Sequence, residues 1–110
     1  MAIEWKRGDT FDFSGKITDI GVFPIKDFSG CSLKAHGRDS SDELIVEFDV
    51  SWIDAPTGLL RLKVPSIETT KTWQIGMVIY YDIELTLPDG SVYSTSTDTI
   101  KVVKDYTWQL

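Results

Sequence analysis

Hydrophobic and polar residues alternate along several short segments of this chain. In residues 44–52 every even position is apolar and most odd positions are polar; the even positions are Leu44, Val46, Phe48, Val50 and Trp52. A repeat of two is that of a β-strand with one buried face, and it cannot form a single face of a helix. The pattern therefore predicts one strand over residues 44–52.

The same alternation predicts five further strands, which cover residues 11–18, 31–38, 59–64, 77–87 and 92–103. In the third of these segments, Ala35 and Gly37 share the apolar face while Lys34, His36 and Arg38 share the polar face. The last segment is rich in threonine and serine in its middle. This weak middle predicts a bulge or an exposed edge near Thr97.

Turn signals separate the predicted strands. Pro88-Asp89-Gly90 has the composition of a hairpin turn, because proline presets φ and glycine accepts a positive φ. Residues 39–42 and 55–58 supply two further breaks. Residues 66–74 lack alternation, and two interpretations stay open: a single helical turn capped by Ser66, or an irregular connection.

Short strands at this spacing, without a long helical pattern between them, are typical of an all-β fold. We expect a single antiparallel immunoglobulin-like β-sandwich of about 6–8 strands, with residues 1–110 forming one domain. A length of 110 residues and a hydrophobic content of 42% are enough for one core. No apolar run is long enough for a transmembrane helix, and residues 1–10 lack the apolar part of a secretory signal, so we expect a soluble protein.

The net charge of the chain makes two classes of partner unexpected. The formal net charge of -6 repels a phosphate backbone or an anionic membrane, and no basic patch is present, so neither nucleic acid nor membrane is an expected partner.

Cys31 is the only cysteine and cannot form an internal disulfide. We expect it to be a buried structural thiol.

The chain offers little material for catalysis. His36 is the only histidine and lies on a predicted polar face, which indicates a solvated position rather than a catalytic base. Asp82 and Glu84 share one face of a strand, as ordinary exposed carboxylates do. We therefore expect no enzymatic activity and no cofactor.

A metal site is the remaining chemical possibility. Asp39, Asp42 and Glu43 fall in one turn, and carboxylate oxygens suit calcium. The turn lacks the order of acidic residues and glycine that defines a calcium loop, and one cysteine with one histidine makes zinc a poor match. We expect a solvated hairpin tip and no metal.

Aromatic residues are the best candidates for contact with another molecule. Trp5 and Trp108 lie near the chain ends, where they either anchor an interface or cover the ends of the sandwich. Tyr80 and Tyr93 either add aromatic area to an outer face or pair with each other across strands. A rival hypothesis is a carbohydrate-binding or adhesion module, in which Trp5, Trp73 and Trp108 stack on the ligand.

Three motifs occur in a fixed order along the chain: Arg7-Gly8-Asp9-Thr10-Phe11, then Asp27-Phe28-Ser29-Gly30-Cys31, then Tyr81-Asp82-Ile83-Glu84-Leu85 followed by Pro88-Asp89-Gly90. In this order the chain resembles bacteriophage tail and baseplate β-sandwich domains. It is most similar to the N-terminal module of phage upper-baseplate proteins, over about residues 7–105.

The resemblance implies a non-enzymatic structural or assembly protein of a phage or prophage tail. Its partners would be other phage tail or virion proteins, with a homo-oligomer as a further possibility. Its place would be the virion, after synthesis in the bacterial host cytoplasm. No catalytic, cofactor-binding or metal-binding residue comes with the resemblance.

Overall fold

The fold is that of a computed structural model, which describes residues 2–17 and 27–104. Nine strands and one short helix make up the regular structure of this part of the chain. In chain order they are β1 (Ala2–Lys6), β2 (Phe11–Lys16), β3 (Ser32–Arg38), β4 (Leu44–Glu47), β5 (Asp49–Asp54), β6 (Leu59–Val64), α1 (Ser66–Thr72), β7 (Val78–Thr86), β8 (Val92–Ser94) and β9 (Asp98–Val103).

The strands form two sheets that pack together. The larger sheet has the order β1-β9-β7-β3-β4, with β8 also paired to β7, and the smaller sheet has the order β2-β6-β5. The all-β sandwich predicted from the alternation is confirmed. The smaller sheet takes the places of strands B, E and D in the immunoglobulin arrangement, and β3, β7 and β9 take those of C, F and G.

The hydrophobic core lies between the inner faces of the two sheets. Its largest fully buried side chains include Trp73, Phe11 and Phe28. The Phe11 ring lies at the centre of an aromatic cluster, with ring centroids 4.8 Å from Trp5, 5.7 Å from Phe48 and 5.7 Å from Trp73. Residues at alternate positions of β3, β6 and β7 complete the core, as the predicted faces require.

The predicted strand over residues 44–52 is two strands that belong to different sheets. β4 pairs with β3 in the larger sheet, whereas β5 pairs with β6 in the smaller one. Between them, the amide of Phe48 still donates to the carbonyl of Ala35 at 3.0 Å. The chain therefore crosses from one sheet to the other at Phe48, and this division accounts for part of the excess over 6–8 strands.

One apolar position of that segment is not in the core. Leu44 is 45% exposed, although the alternation places it on the same face as Val46. The register between β3 and β4 shifts between Gly37 and Arg38, so that Leu44 lies opposite Arg38. This irregularity moves Leu44 to the outer face of the larger sheet.

The β1 segment departs from the expected antiparallel pattern. It pairs with β9 in parallel, from Ala2 opposite Thr99 to Lys6 opposite Val103. Such a pair needs no turn between its strands, so no local sequence signal marks it. This parallel pair is the exception to the antiparallel pairing that we expected, and it lies at one edge of the larger sheet.

The open question over residues 66–74 resolves in favour of a helix. α1 spans seven residues, and its N-cap position is Pro65 rather than the expected Ser66. Pro65 provides no side-chain cap hydrogen bond. Within residues 2–17 and 27–104, no helix has both the length and the hydropathy needed to span a bilayer.

The weak middle predicted near Thr97 is a break in the sheet. β8 and β9 both lie beside β7, and residues 95–97 separate them. At the break, the amide of Thr95 donates to the carbonyl of Ile83 at 3.0 Å, while the amide of Ile83 donates to the Thr95 hydroxyl oxygen Oγ1 at 2.9 Å. The threonine hydroxyl thus takes the place of a backbone carbonyl where the strand leaves the ladder.

Replacing Thr95 by valine should lower the free energy of unfolding by about 1–2 kcal/mol, because it leaves the buried amide of Ile83 without an acceptor. Valine keeps the shape of threonine, so packing changes little. Urea unfolding followed by tryptophan fluorescence measures the loss. Thr95→Ser is the control and should lose clearly less than valine, since it keeps the hydroxyl; equal stability of the valine variant and the unchanged protein would contradict the role given to Oγ1.

Candidate functional site

Of the three tryptophans that the sequence suggests as contact residues, the structure describes Trp5 and Trp73. Trp5 is half-buried in β1, and its ring packs edge-on against Phe11. Trp73 is fully buried, so the hypothesis that it stacks on a ligand is wrong for this structure. Trp108 lies outside the described residues. Trp5 packs against the core and keeps part of its surface exposed.

Tyr80 and Tyr93 are both exposed, at 42% and 37%, but they do not form a pair. Tyr80 lies opposite Thr99 of β9, whereas Tyr93 of β8 lies opposite Leu85. Leu85 is fully buried, so the Tyr93 position belongs to the inner side of the larger sheet and Tyr80 to the outer side. Of the two alternatives left open, only Tyr80 therefore adds aromatic area to the outer face, and the two tyrosines do not pair with each other across strands.

Two rows of polar side chains lie in register at the centre of the outer surface. Along β3 the row is Lys34, His36 and Arg38; along β7 it is Glu84, Asp82 and Tyr80. Each residue lies directly opposite its counterpart: Lys34 opposite Glu84, His36 opposite Asp82 and Arg38 opposite Tyr80. We call these six residues the β3–β7 face. Their positions follow from the alternation, because the intervening Ala35 and Ile83 are buried.

A shallow depression of about 550 Å³ lies over this face. All six residues of the β3–β7 face line it, and the turn after β3 and the break between β8 and β9 contribute its remaining walls, among them Asp39, Ser40, Asp42 and Thr97. A second hollow of about 380 Å³ shares Asp39, Ser40 and Tyr80 with the first and extends to the exposed side chain of Ile75. The depression is open and most of the residues that line it are charged or polar, which suits contact with another molecule more than the enclosure of a substrate.

The charged groups of the β3–β7 face are only partly paired. His36 Nε2 lies 3.2 Å from Glu47 Oε1, and Arg38 Nη1 donates to the Asp42 carbonyl at 3.1 Å. Within the described residues no ion pair involves Lys34, Asp82 or Glu84. A cation and two carboxylates at the centre of the face are therefore available to an incoming molecule.

The acidic turn after β3 is held by its own hydrogen bonds. Asp39 Oδ1 accepts from the amides of Ser41 at 2.8 Å and Glu43 at 3.0 Å. Asp42 lies close to Arg38 and has a positive φ of 65°. In the part of the chain that the structure describes, no three histidine, cysteine or acidic residues come together as a metal site would require.

Cys31 lies in the core with 7% of its surface exposed, which confirms the expected buried thiol. Burial raises the pKa of the thiol, and the nearby carboxylates of Asp27 and Asp89 raise it further. A raised pKa leaves less reactive thiolate. The backbone carbonyl of Cys31 also accepts a hydrogen bond from Trp52 Nε1 at 2.9 Å, so this residue has a structural role.

Alkaline pH should destabilise the protein through Tyr81. Burial, with a smaller effect of Asp98, raises the pKa of Tyr81 from 10.0 to about 12. Because the folded protein holds the phenol proton more tightly than the unfolded chain, this stabilisation is complete below pH 10 and is lost as the pH rises toward about 12.

Urea unfolding at a series of alkaline pH values measures this effect. The Tyr81→Phe variant has no phenol to ionise, so its free energy of unfolding should fall less steeply over the same interval. The other titrating groups are common to both proteins and cancel in the comparison. Parallel pH profiles for the two proteins would contradict the assignment to Tyr81.

In comparisons with known proteins, no family model matches the chain and no curated protein matches it. The resemblance to phage baseplate domains therefore stays a prediction from the sequence motifs.

The sequence predicted which residues form the two polar rows of the β3–β7 face, but not that the two rows lie side by side. Alternation identified Lys34, His36 and Arg38 as one polar row and Asp82 with Glu84 as another. It could not show that the rows adjoin, because β4, β5, β6 and α1 separate the two strands in the chain. A search for opposite charges on the polar faces of separate predicted strands would have suggested the pairing.

Proposed function

We propose that the chain is a non-enzymatic structural or assembly subunit of a phage or prophage tail or baseplate, and that it docks onto other virion proteins. The observation that carries the proposal is the β3–β7 face, a broad open surface with unpaired charges around an exposed tyrosine. Tyrosine is enriched at interfaces, and complementary charges give such contacts specificity.

The sequence motifs support the proposal because each has a part in building the fold. In the first motif, the Asp9 carbonyl accepts from Thr69 Oγ1 at 2.9 Å, which ties this turn to α1. In the second, Asp27 Oδ1 accepts from the Ser29 amide at 2.9 Å. Gly30 has a φ of 79° and faces the ring of Pro88 in the last motif, so the two turns meet. The ordered motifs thus describe one scaffold, which is what a resemblance between domains of one fold requires.

The test is deletion of the gene from the phage or prophage that carries it, followed by electron microscopy of the particles and a count of infectious units. We expect particles with missing or defective tails, and recovery when the unchanged chain is supplied in trans. Tyr80→Ala should restore assembly poorly, whereas Lys16→Glu, on the opposite sheet, should restore it fully. Normal particles with normal infectivity after deletion would overturn the proposal.

A ligand-binding module remains the second candidate, and the depression over the β3–β7 face is the observation that favours it. Its volume of about 550 Å³ falls within the range of small-ligand sites. Tyr80 would supply the stacking ring in place of the buried tryptophan, and Asp82 and Glu84 would accept hydrogen bonds from sugar hydroxyls. Specific signals on a glycan array that disappear in Tyr80→Ala would support this function, and an array without specific signals would reject it.

A further inference from the structure

The β3–β7 face is complementary to itself. Its row of Lys34, His36 and Arg38 on β3 and its acidic and aromatic row on β7 lie side by side in register. We propose that two copies of the chain pair face to face through this surface, about a two-fold axis that runs parallel to β3 and β7 and between them. The proposal deepens the assembly role given above, on which it rests, by identifying a second copy as a partner.

The symmetry follows from the register. A half-turn about an axis parallel to the two strands places β3 of the second copy over β7 of the first. It also places β7 of the second copy over β3 of the first, and neither strand is shifted along its length. Lys34 then faces Glu84 of the second copy, and His36 faces its Asp82. Every contact occurs twice, as in any two-fold interface in which the same patch serves both subunits.

Two of the three facing pairs are favourable by their chemistry alone. Lys34 and Glu84 carry opposite charges, and neither has an ion pair within the described residues of its own chain. The guanidinium of Arg38 comes over the exposed ring of Tyr80, where a cation is attracted by the face of an aromatic ring. The open depression leaves room for these long side chains between the larger sheets of the two copies.

The distribution of charge also favours contact through this side of the molecule. Residues at outward positions of the larger sheet include four cations and four anions: Lys6, Lys34, Arg38, Lys101, Glu4, Glu47, Asp82 and Glu84. The strands of this sheet are therefore balanced in a chain whose net charge is -6, and the adjoining turn adds the carboxylates of Asp39 and Asp42 to the same side. Two acidic molecules repel each other least when they approach through balanced surfaces.

The outer surface of the smaller sheet is a poorer match for a second copy. Within the described residues it has three strands. Its Arg61 is already engaged, because Nε donates to Asp12 Oδ1 at 2.7 Å and the second guanidinium nitrogen pairs with Asp12 Oδ2. A cation held in a two-point contact within its own chain has less to offer a partner.

The size of the larger sheet limits the area that such a dimer can bury. The five strands β1, β9, β7, β3 and β4 contain 31 residues, which at about 3.3 Å per residue and about 4.8 Å between strands give roughly 500 Å² of sheet face. Stable complexes commonly bury about 800 Å² on each partner. The sheet face is smaller than that, so we expect a weak dimer, and its charged residues predict one that weakens as salt is added.

The experiment is sedimentation equilibrium of the full chain at low salt, over about a hundredfold range of protein concentration. We expect the mass to rise from 12.4 kDa toward twice that value. Lys34→Glu and Glu84→Lys should each weaken association at least about tenfold, because each places like charges opposite each other twice. The double variant Lys34→Glu/Glu84→Lys should restore it. Lys16→Glu, with the same charge change on the opposite sheet, should leave it unchanged.

Mixing the two single variants gives a further test that does not depend on their individual stability. Lys34→Glu supplies only acidic groups at these two positions and Glu84→Lys only basic ones, so an equimolar mixture should associate more tightly than either variant alone. A monomer at every concentration, or a dimer that these substitutions do not affect, would overturn the dimer. It would leave the proposed tail role standing, since that role is tested by particle assembly after gene deletion.

Discussion

Phe11→Ala should lower the free energy of unfolding by about 3–5 kcal/mol. Phe11 is fully buried, and its ring contacts the rings of Trp5, Phe48 and Trp73. Alanine would remove this buried surface and leave a cavity between the two sheets. Urea unfolding followed by circular dichroism measures the loss, which is a large part of the stability of about 5–15 kcal/mol that ordinary domains have.

Two companion variants separate the effect of volume from that of position. Phe11→Leu keeps most of the buried volume and should cost less than about 1.5 kcal/mol. Phe13→Ala, two residues further along β2, removes the same ring from a partly exposed position and should cost clearly less than Phe11→Ala. Equal losses at positions 11 and 13 would contradict the central place given to Phe11.

The inner and outer faces of the strands could be predicted from the sequence alone. Alternation predicted which residues of β2, β3, β6 and β7 point inward, since a strand with one buried face has only one arrangement that keeps apolar groups from water. It identified the polar row of Lys34, His36 and Arg38 for the same reason. Composition and turn signals were enough for the all-β sandwich and for the hairpin at Pro88-Asp89-Gly90, where the glycine has a φ of 92°.

Relations between distant segments could not be predicted in this way. Alternation continues through Phe48 whether or not the chain changes sheets, so it cannot reveal the division between β4 and β5. The parallel pairing of β1 with β9 and the register of Lys34 with Glu84 join segments far apart in the chain. These relations depend on how the core packs as a whole, and the candidate face exists only because of them.

Gly37 marks a place where this packing is especially tight. The sequence assigned it to the inner face of β3, and in the structure it lies opposite Val46 of β4 and Tyr81 of β7. A Cβ atom built at Gly37 would lie 2.6 Å from Ile79 Cγ2 and 2.8 Å from Val46 Cγ1. Both neighbours are β-branched and have few alternative rotamers, so they cannot easily move aside.

Gly37→Val should therefore lower the free energy of unfolding by about 3 kcal/mol, at the upper end of the usual cost of overpacking. Urea unfolding provides the value. Gly15→Val is the matched control, because Gly15 also lies within a strand and its nearest side-chain atom, Phe13 Cε1, would be 3.3 Å from the new Cβ and belongs to a partly exposed ring. This control should change stability by less than about 1 kcal/mol, since valine favours strands.

A second substitution tests whether the cost at Gly37 arises from the contact itself. Val46→Ala removes the methyl group nearest to Gly37 on β4, so Gly37→Val should cost at least about 1 kcal/mol less in that background than in the unchanged protein. Additive losses would mean that Val46 and the new side chain do not meet. That result would contradict the close packing of β4 against β3. It would also contradict the outward placement of Leu44 opposite Arg38, because the same strand pairing produces it.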